Sequence, residues 1–506
     1  MCNGKTARSL VLVLAIGCVA ALAAGVAPPA GCPTAAPAPL PFAMAPLARD
    51  GRGVEPLHAG QGCTTAYATD GQQMLGGNNE DYIDPLTKVW FVPAGEGTFG
   101  RVYFGYENYY TQGGMNDQGL FFDGQAVDTA VPLLLEGKQP YSGTNFLDYV
   151  MARCATVACV VEMFETYYDQ ETWAWQHLFG DATGESAIIE PQAILRQRGS
   201  YQVVTNFLQS ATPPEARGCW RYKTAIEMLE GSPALSVEYM RDVMAAVHQD
   251  AQGSPTLYTN VYDLANRVVY LYFFYDYEHV VVIDLEEELV KGAHAYDLPA
   301  LFPSNPTAQQ FSVPILRRYR DLIQSRLAEV DPAFLAAYVG DYELPEKWGG
   351  PDEWISVVPH GASLLMIFPD SHRYELFPQG ETSFFTVLWR ETAFQVGFDV
   401  NFGVDPAGRV LYLEAVFGAD DSVRHDRLGP ASFVPYMPTP ARTSTPPPTT
   451  TPPPTATAEP TPAPSAAPTA ATPVPLVPAP SPGFPWGWAI LPVVLLAAAY
   501  GVDVPT

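Results

Sequence analysis

Apolar and polar residues alternate in short runs over the first patterned part of the chain, and only a few blocks repeat at helical spacing. Residues 63–69, 73–76, 89–92, 101–106 and 119–123 read as strands, separated by turn residues at Asp70-Gly71, at 77–79 and at Gly95-Glu96-Gly97. Residues 145–153 and 157–168 carry apolar side chains every three or four positions and predict two helices. A meander of strands follows at 175–180, 186–190, 194–198 and 201–205. Helices at 220–230 and 236–248 come next, then strands at 256–263, 267–275 and 279–284. Strands and helix pairs in this order predict stacked α and β layers.

After Pro303 and Pro306 the pattern changes. A charged amphipathic helix at 317–329 leads into a second unit, with strands at 337–344, 354–359, 363–368, 374–378, 383–388, 395–402 and 410–416. Their even spacing, with turns at Gly361, Gly380 and Pro406-Ala407-Gly408, predicts a small all-β domain.

Both ends depart from globular patterning. Lys5 and Arg8 precede an apolar, alanine-rich run, and residues 1–27 have the layout of a secretory signal peptide. Residues 28–62 are rich in Pro, Ala and Gly and read as a pro-segment or disordered lead-in. Residues 431–483 form a stalk whose 443–483 stretch of Pro, Thr and Ala cannot assemble a core. At about 3.1 Å per residue that stretch reaches on the order of 120 Å. Residues 484–502 are just long enough to cross a bilayer, interrupted by Pro485 and Pro492. No Lys or Arg follows Arg442, so a sorting tail removed later is the alternative to a transmembrane anchor.

The chain has 506 residues, 47% of them apolar, which is room for two or three domains with ordinary cores. Its formal charge of −27 suits an exported, soluble surface and argues against nucleic acid as a partner, because phosphate binding needs clustered Lys and Arg. Of the seven cysteines, Cys2 and Cys18 leave with the signal, and Cys32 leaves with any segment removed ahead of Cys63. Cys63, Cys154, Cys159 and Cys219 remain, too few for a disulfide framework. Cys154 and Cys159 flank a helix start at Thr156 and either bond locally or pack as small apolar residues. Packing is the preferred expectation for both, and for Cys219. The histidines are scattered, and no metal-ligand spacing occurs.

Candidate chemistry centres on Cys63. A thiol with a reference pKa of about 8.5 needs an adjacent base to ionise near neutrality. Cleavage of the Gly62-Cys63 bond would create one, an α-amine of reference pKa roughly 7.7–8.0 that takes the thiol proton directly or through water. Nucleophile and base would then share one residue, with no separate histidine required. Gly62 presents no side chain on the departing side. By itself Gly-Cys is a weak signal.

Five pieces in order make it specific: Gly62-Cys63-Thr64, Gly77-Asn78-Asn79-Glu80-Asp81, Gly114-Met115-Asn116-Asp117-Gln118-Gly119-Leu120, Asp181-Ala182-Thr183-Gly184-Glu185 through Glu190, and Val204-Thr205-Asn206. From Cys63 to about Phe302 the chain resembles the choloylglycine hydrolase, penicillin V acylase and isopenicillin-N acyltransferase-like group of N-terminal-nucleophile hydrolases. The resemblance implies an α+β fold: a four-layer αββα sandwich over 63–305, followed by a linker helix at 306–330 and a small β-barrel at 331–430. The barrel segment, opening on Tyr338-Val339-Gly340-Asp341-Tyr342, resembles the small β domain appended to some serine-hydrolase-like exported enzymes.

For the site, the resemblance implies Cys63 as nucleophile and Asp81 as the group that orients its amine. It implies Asn206 as a side-chain donor to the oxyanion, a role commonly worth about 3 kcal/mol. The backbone N–H of Ala126 would be the second donor, and Arg221, better placed than Arg217, the arginine at the start of the next helix. Asn78 and Asn116 are candidate supports. On residues alone, Asp81 also reads as a surface turn aspartate, Asn206 as a strand-ending asparagine and Arg221 as an exposed helix-cap residue. Many relatives carry arginine where this chain has Asn78, which puts bile-salt specificity in question. The implied reaction is hydrolysis of a small acyl amide through a thioester, with no metal or organic cofactor. The alternatives are acyl transfer to another amine and a catalytically silent surface-binding module. The expected location is the outer face of the cell membrane, held through the C-terminal segment.

Overall fold

The structure is a computed structural model that describes residues 62–127, 135–141, 145–168, 175–231, 234–250, 254–344, 353–369, 372–390, 393–418 and 421–432. The expected signal peptide, the expected pro-segment ahead of Gly62, residues 433–483 of the expected stalk and the C-terminal apolar stretch lie outside these residues. Among the described residues no helix is long and apolar enough to cross a membrane.

The first part contains β1 (Thr64–Thr69), β2 (Met74–Asp81), β3 (Thr87–Val92), β4 (Arg101–Tyr106), β5 (Thr111–Asn116) and β6 (Phe121–Ala126). Two-residue strands β7 (Gln139–Pro140) and β8 (Tyr167–Tyr168) bracket helices α1 (Phe146–Arg153) and α2 (Val157–Thr166). Then come β9 (Trp175–Gly180), β10 (Ser186–Glu190), β11 (Ala193–Arg196), β12 (Tyr201–Val204), α3 (Trp220–Glu230), α4 (Val237–Ala246), β13 (Thr256–Asp263), β14 (Val268–Phe273), β15 (Asp276–Asp284), α5 (Leu285–Leu289) and β16 (His294–Asp297).

These strands form a six-stranded antiparallel sheet, β12-β1-β2-β13-β14-β15, and an eight-stranded antiparallel sheet, β11-β10-β9-β6-β5-β4-β3-β16. Inward-facing residues of both sheets, among them Tyr67, Phe91, Phe104, Phe121, Leu178, Tyr258 and Tyr262, share one buried cluster. The outer face of the eight-stranded sheet packs Phe122 and Phe179 against Phe146, Val150 and Val161 of α1 and α2. The outer face of the six-stranded sheet packs Ala66, Leu75 and Val203 against Tyr222 and Ala225 of α3 and Met240 and Met244 of α4. Alternation along each strand therefore divides its apolar residues between an inter-sheet core and a helix-covered face. Helix starts are set by side-chain caps: Asn145 accepts from Asp148 N–H, Thr156 from Cys159 N–H and Ser236 from Tyr239 N–H.

Several expectations need correction. Residues 77–79 are not a turn, because β2 runs on to Asp81. Gly76 and Gly77 are small for packing reasons: a Cβ on Gly76 would lie 2.8 Å from the Phe121 ring, and one on Gly77 would lie 3.0 Å from the Met240 sulfur. Strands β5 and β16 were not expected, since β5 is glycine-rich and β16 has only four residues. Cys154 and Cys159 form a disulfide instead of packing as thiols: Cys154 caps the end of α1 and Cys159 lies in the first turn of α2, which brings their Cα atoms to 5.4 Å. Cys219, fully buried at the start of α3, is also disulfide-bonded.

The linker helix α6 (Pro306–Arg326) starts at the first residue of the expected 306–330 linker, eleven residues ahead of the amphipathic run at 317–329, and contains Pro314. Asn305 caps it by accepting from Thr307 and Ala308 N–H, and Pro306 occupies the first position, where a missing N–H is harmless. Residues 332–338, partly expected as strand, form helix α7 (Pro332–Tyr338). Strands β17 (Gly340–Glu343) through β24 (Asp421–Gly429), the last not expected from the sequence, close an eight-stranded barrel around Tyr342, Ile355, Leu364, Met366, Phe384 and Leu413. The barrel meets the β4–β5 turn, where Arg373 N–H donates to Asn108 O at 3.0 Å and the Arg373 guanidinium lies 3.5 Å from the Tyr109 ring centroid.

Candidate active site

Cys63 immediately precedes β1. The β1–β2 register places Thr64 opposite Asn79, so Cys63 sits beside the Glu80-Asp81 end of β2. On the other side β1 pairs with β12, Thr65 opposite Val204, which puts Asn206 just past the end of β12 at the same edge. Thr256, the first residue of β13, is registered with Asp81. Helix α3 crosses this end and directs Arg221, its second residue, inward.

Arg221 is fully buried and organises the cluster. Its Nη1 donates to Gly62 O, to Cys63 O at 2.7 Å, to Thr64 Oγ1 at 2.9 Å and to Asp81 Oδ2 at 3.3 Å. Its Nη2 donates to Asn206 Oδ1 at 3.1 Å. Asp81 also accepts from Thr256 Oγ1 at 2.5 Å and from Gln249 Nε2 at 2.9 Å. Gln249 Nε2 lies 3.2 Å from Gly62 O, so the carbonyl oxygen ahead of Cys63 has a guanidinium and an amide as donors. Asn206 Nδ2 donates to Ala126 O at 2.9 Å.

Gly62 has φ +142°, and a Cβ there would fall 1.8 Å from Asn206 Oδ1. Backbone conformation and steric contact both require glycine at this position.

The electrostatics are set by burial and by carboxyl groups. Burial pushes the Cys63 thiol well above its ordinary range, and the nearby Glu80, Asp81 and Asp123 push the same way against one hydrogen bond from Asp81 N–H. Burial lifts Asp81 to about 7, opposed by Arg221, Thr256 and Gln249. Glu80 is lifted to about 7 by burial and Asp81, opposed by the Tyr106 hydroxyl 2.6 Å from its Oε1, by Cys63 and by Asn78. Burial lowers Arg221, and Asp81 opposes that shift. While the Gly62-Cys63 peptide is intact the sulfur is therefore a protonated, dormant thiol.

The structure thus brings Cys63, Asp81, Asn206 and Arg221 together. Ala126 lies at the same edge, where its carbonyl oxygen meets Asn206. Arg217 holds the loop before α3, donating to Gln209 O and Thr212 O. Asn78 is buried in β2 and accepts from Thr65 Oγ1 at 3.2 Å. Asn116 makes none of its bonds to this cluster: it donates to Met151 O and Cys154 O at 2.8 Å and accepts from Gln118 and Leu120 N–H, tying the β5–β6 turn to the end of α1. Gln249, Thr256, Glu80, Tyr106 and Asp123 were missed in the sequence. Glu80 stood in the second motif, adjacent to Asp81; the others come from distant strands and a loop, and nothing local marked them.

No protein-family model and no curated protein sequence matches the chain. Among solved structures it is similar to penicillin V acylase from Agrobacterium tumefaciens, with 18% identity over 46% of this chain and 91% of that one at a TM-score of 0.34. It is similar to a variant of conjugated bile acid hydrolase from Clostridium perfringens, with 15% identity, 48% and 98% coverage and a TM-score of 0.38. A third is the Caenorhabditis elegans ortholog of N-acylethanolamine-hydrolyzing acid amidase, with 16% identity, 40% and 93% coverage and a TM-score of 0.31.

Proposed function

We propose that the chain is an exported amidase of the N-terminal-nucleophile type, with the αββα sandwich of that class, in which cleavage at Gly62-Cys63 frees Cys63 to attack linear amides. The observation that carries this reading is the Gly62-Cys63 junction itself. A glycine that no other residue could replace has its carbonyl oxygen held by Arg221 and Gln249, directly before a buried thiol. Donors fixed on a carbonyl oxygen stabilise the negative charge it acquires on nucleophilic attack.

In the matured chain the α-amine of Cys63 takes the thiol proton, and Asp81, clamped by Arg221, Thr256 and Gln249, orients that amine. Arg221, Asn206 and the backbone at Ala126 line the region where the acyl oxygen of a substrate becomes anionic. The acyl group passes to sulfur, the amine leaves, and water activated by the same α-amine hydrolyses the thioester. The signal-like head and the apolar tail support a location outside the cell, with the enzyme tethered to its membrane through the stalk.

The test combines intact mass and N-terminal sequencing of the exported protein with turnover of an acyl-amide panel that includes a phenoxyacyl penicillin, a conjugated bile acid, an acylated amino acid and an acyl-homoserine lactone. A chain beginning at Cys63 that turns over at least one of them, and a Cys63→Ala variant that turns over none, is the expected result. Full-speed turnover with Gly62 still in peptide linkage would end the proposal. Repeating the assay with an added amine acceptor separates hydrolysis from acyl transfer, since both begin from one thioester.

Gly62→Ala is expected to leave the chain largely uncut, because its methyl group would displace Asn206 and strain a positive φ. The uncut fraction by intact mass reads this directly, and normal cleavage of that variant would contradict the close packing at Gly62.

A further inference from the structure

Self-cleavage poses a proton problem that the mature mechanism does not solve. Before Gly62 leaves, the nitrogen of Cys63 is an amide and cannot accept the thiol proton, so another group must. The carboxyl groups acting on the sulfur are those of Glu80, Asp81 and Asp123.

Asp81 has both oxygens occupied, and Asp123 has one of its two. Asp81 is saturated by Thr256 on one oxygen and by Gln249 and Arg221 on the other. Asp123 Oδ1 accepts from Thr65 Oγ1 at 3.1 Å and Gln125 Nε2 at 3.1 Å, while its Oδ2, which has no hydrogen-bond partner, faces the Gly113 backbone so closely that a Cβ there would lie 2.1 Å away. Glu80 differs. The Tyr106 hydroxyl fixes its Oε1, and of the three carboxyl groups it is the one with the Cys63 thiol as a side-chain hydrogen-bond neighbour, Asn78 being the other.

We propose that Glu80 is the general base of self-cleavage, taking the Cys63 Sγ proton as sulfur attacks the Gly62 carbonyl carbon. This step rests on the amidase reading above. The electron pair of the carbonyl moves onto an oxygen held by Arg221 and Gln249. Collapse of the tetrahedral centre breaks the bond to the Cys63 nitrogen, and Glu80 returns its proton to that nitrogen, which leaves as the free α-amine. One water then hydrolyses the Gly62 thioester, giving the Gly62 carboxylic acid and regenerating the thiol.

The charged and titratable groups facing Glu80 are Cys63, Asp81, Asp123 and the phenols of Tyr106, Tyr82, Tyr258 and Tyr262, with Arg221 beyond Asp81. None of the residues in direct contact is a cation. Glu80 therefore keeps its own proton in acid and releases it near pH 7. Cleavage should be slow in acid and rise as pH passes through that region.

The experiment follows freshly synthesised full-length chain by intact mass from pH 5 to pH 9. It also measures turnover per cleaved molecule on any amide the wild type accepts. Glu80→Gln should slow cleavage at least about 100-fold, the usual scale of a lost general base, while turnover per cleaved molecule falls by a much smaller factor. Tyr106→Phe, which removes the donor to Glu80, should move the rising limb of the cleavage profile to higher pH. Cleavage of Glu80→Gln at the wild-type rate, equal losses in cleavage and turnover, or an unmoved limb in Tyr106→Phe would each overturn the assignment. Failure of the parent reading looks different: the wild type itself would work while uncut.

Discussion

Arg221→Leu is expected to abolish turnover, block cleavage and lower stability by about 3–5 kcal/mol at pH 8, the range for removing one partner of a buried ion pair. Both members of the pair with Asp81 are shielded, with side-chain exposures of 1% and 0%. Leucine would leave the Asp81 carboxylate facing only two neutral donors, and would strip Gly62 O, Cys63 O, Thr64 Oγ1 and Asn206 Oδ1 of a shared one. The penalty should depend on pH with a definite sign. Below about 7 the Asp81 carboxyl is protonated and no longer needs a counter-charge, so the same variant should lose less at pH 5 than at pH 8. Arg221→Lys keeps the charge, but one ammonium cannot span acceptors on three chain segments, so it should fall between the two. Denaturant unfolding at both pH values measures this. A leucine variant as stable as the wild type at pH 8 would mean that the pair makes no net contribution.

How much of this was legible beforehand differs by element. Strands β1 and β13, with alternating or continuous apolar residues, and helices α3 and α4, with clear spacing and a Ser236 cap, were readable because the local pattern and the tertiary environment agree. Strand β2 was cut short for the opposite reason. Its glycines mimic a turn locally, while the cause of their small size, the Phe121 ring on one side and α4 on the other, is distant in sequence. The same holds for the site. Cys63, Asp81 and Asn206 belong to short ordered motifs, whereas Gln249 and Thr256 reach Asp81 only because β13 pairs with β2 and the loop after α4 folds back on both. Asn116 shows the converse, a residue inside a motif whose hydrogen bonds are entirely those of a turn and a helix end.

The buried carboxyl groups make a second large prediction, concerning the whole first part of the chain. Burial lifts Glu80, Asp81 and Asp84 to about 7 and Glu107 to about 8, while in the unfolded chain Asp and Glu titrate near 4. At these four groups the folded state binds more protons than the unfolded one between those limits, so stability falls as pH rises from about 4 to 8; His177 and His372, lowered by burial to about 3, oppose this below about pH 6.5 but are outnumbered by the carboxyls. The net charge of −27 adds self-repulsion in the same direction. The thermal midpoint should therefore be higher at pH 5 than at pH 8, by on the order of 5–10 °C if the groups together contribute a few kcal/mol. Asp84 offers a way to isolate the effect, since it is 6% exposed, accepts from Leu86 N–H and takes no part in the Cys63 cluster. Asp84→Asn removes one ionisation without removing the acceptor and should flatten the slope above pH 6. A midpoint that rises with pH across this range would show that these groups ionise in the folded protein as easily as in water. The raised carboxyl at Glu80, on which the timing of self-cleavage depends, would then lose its physical basis as well.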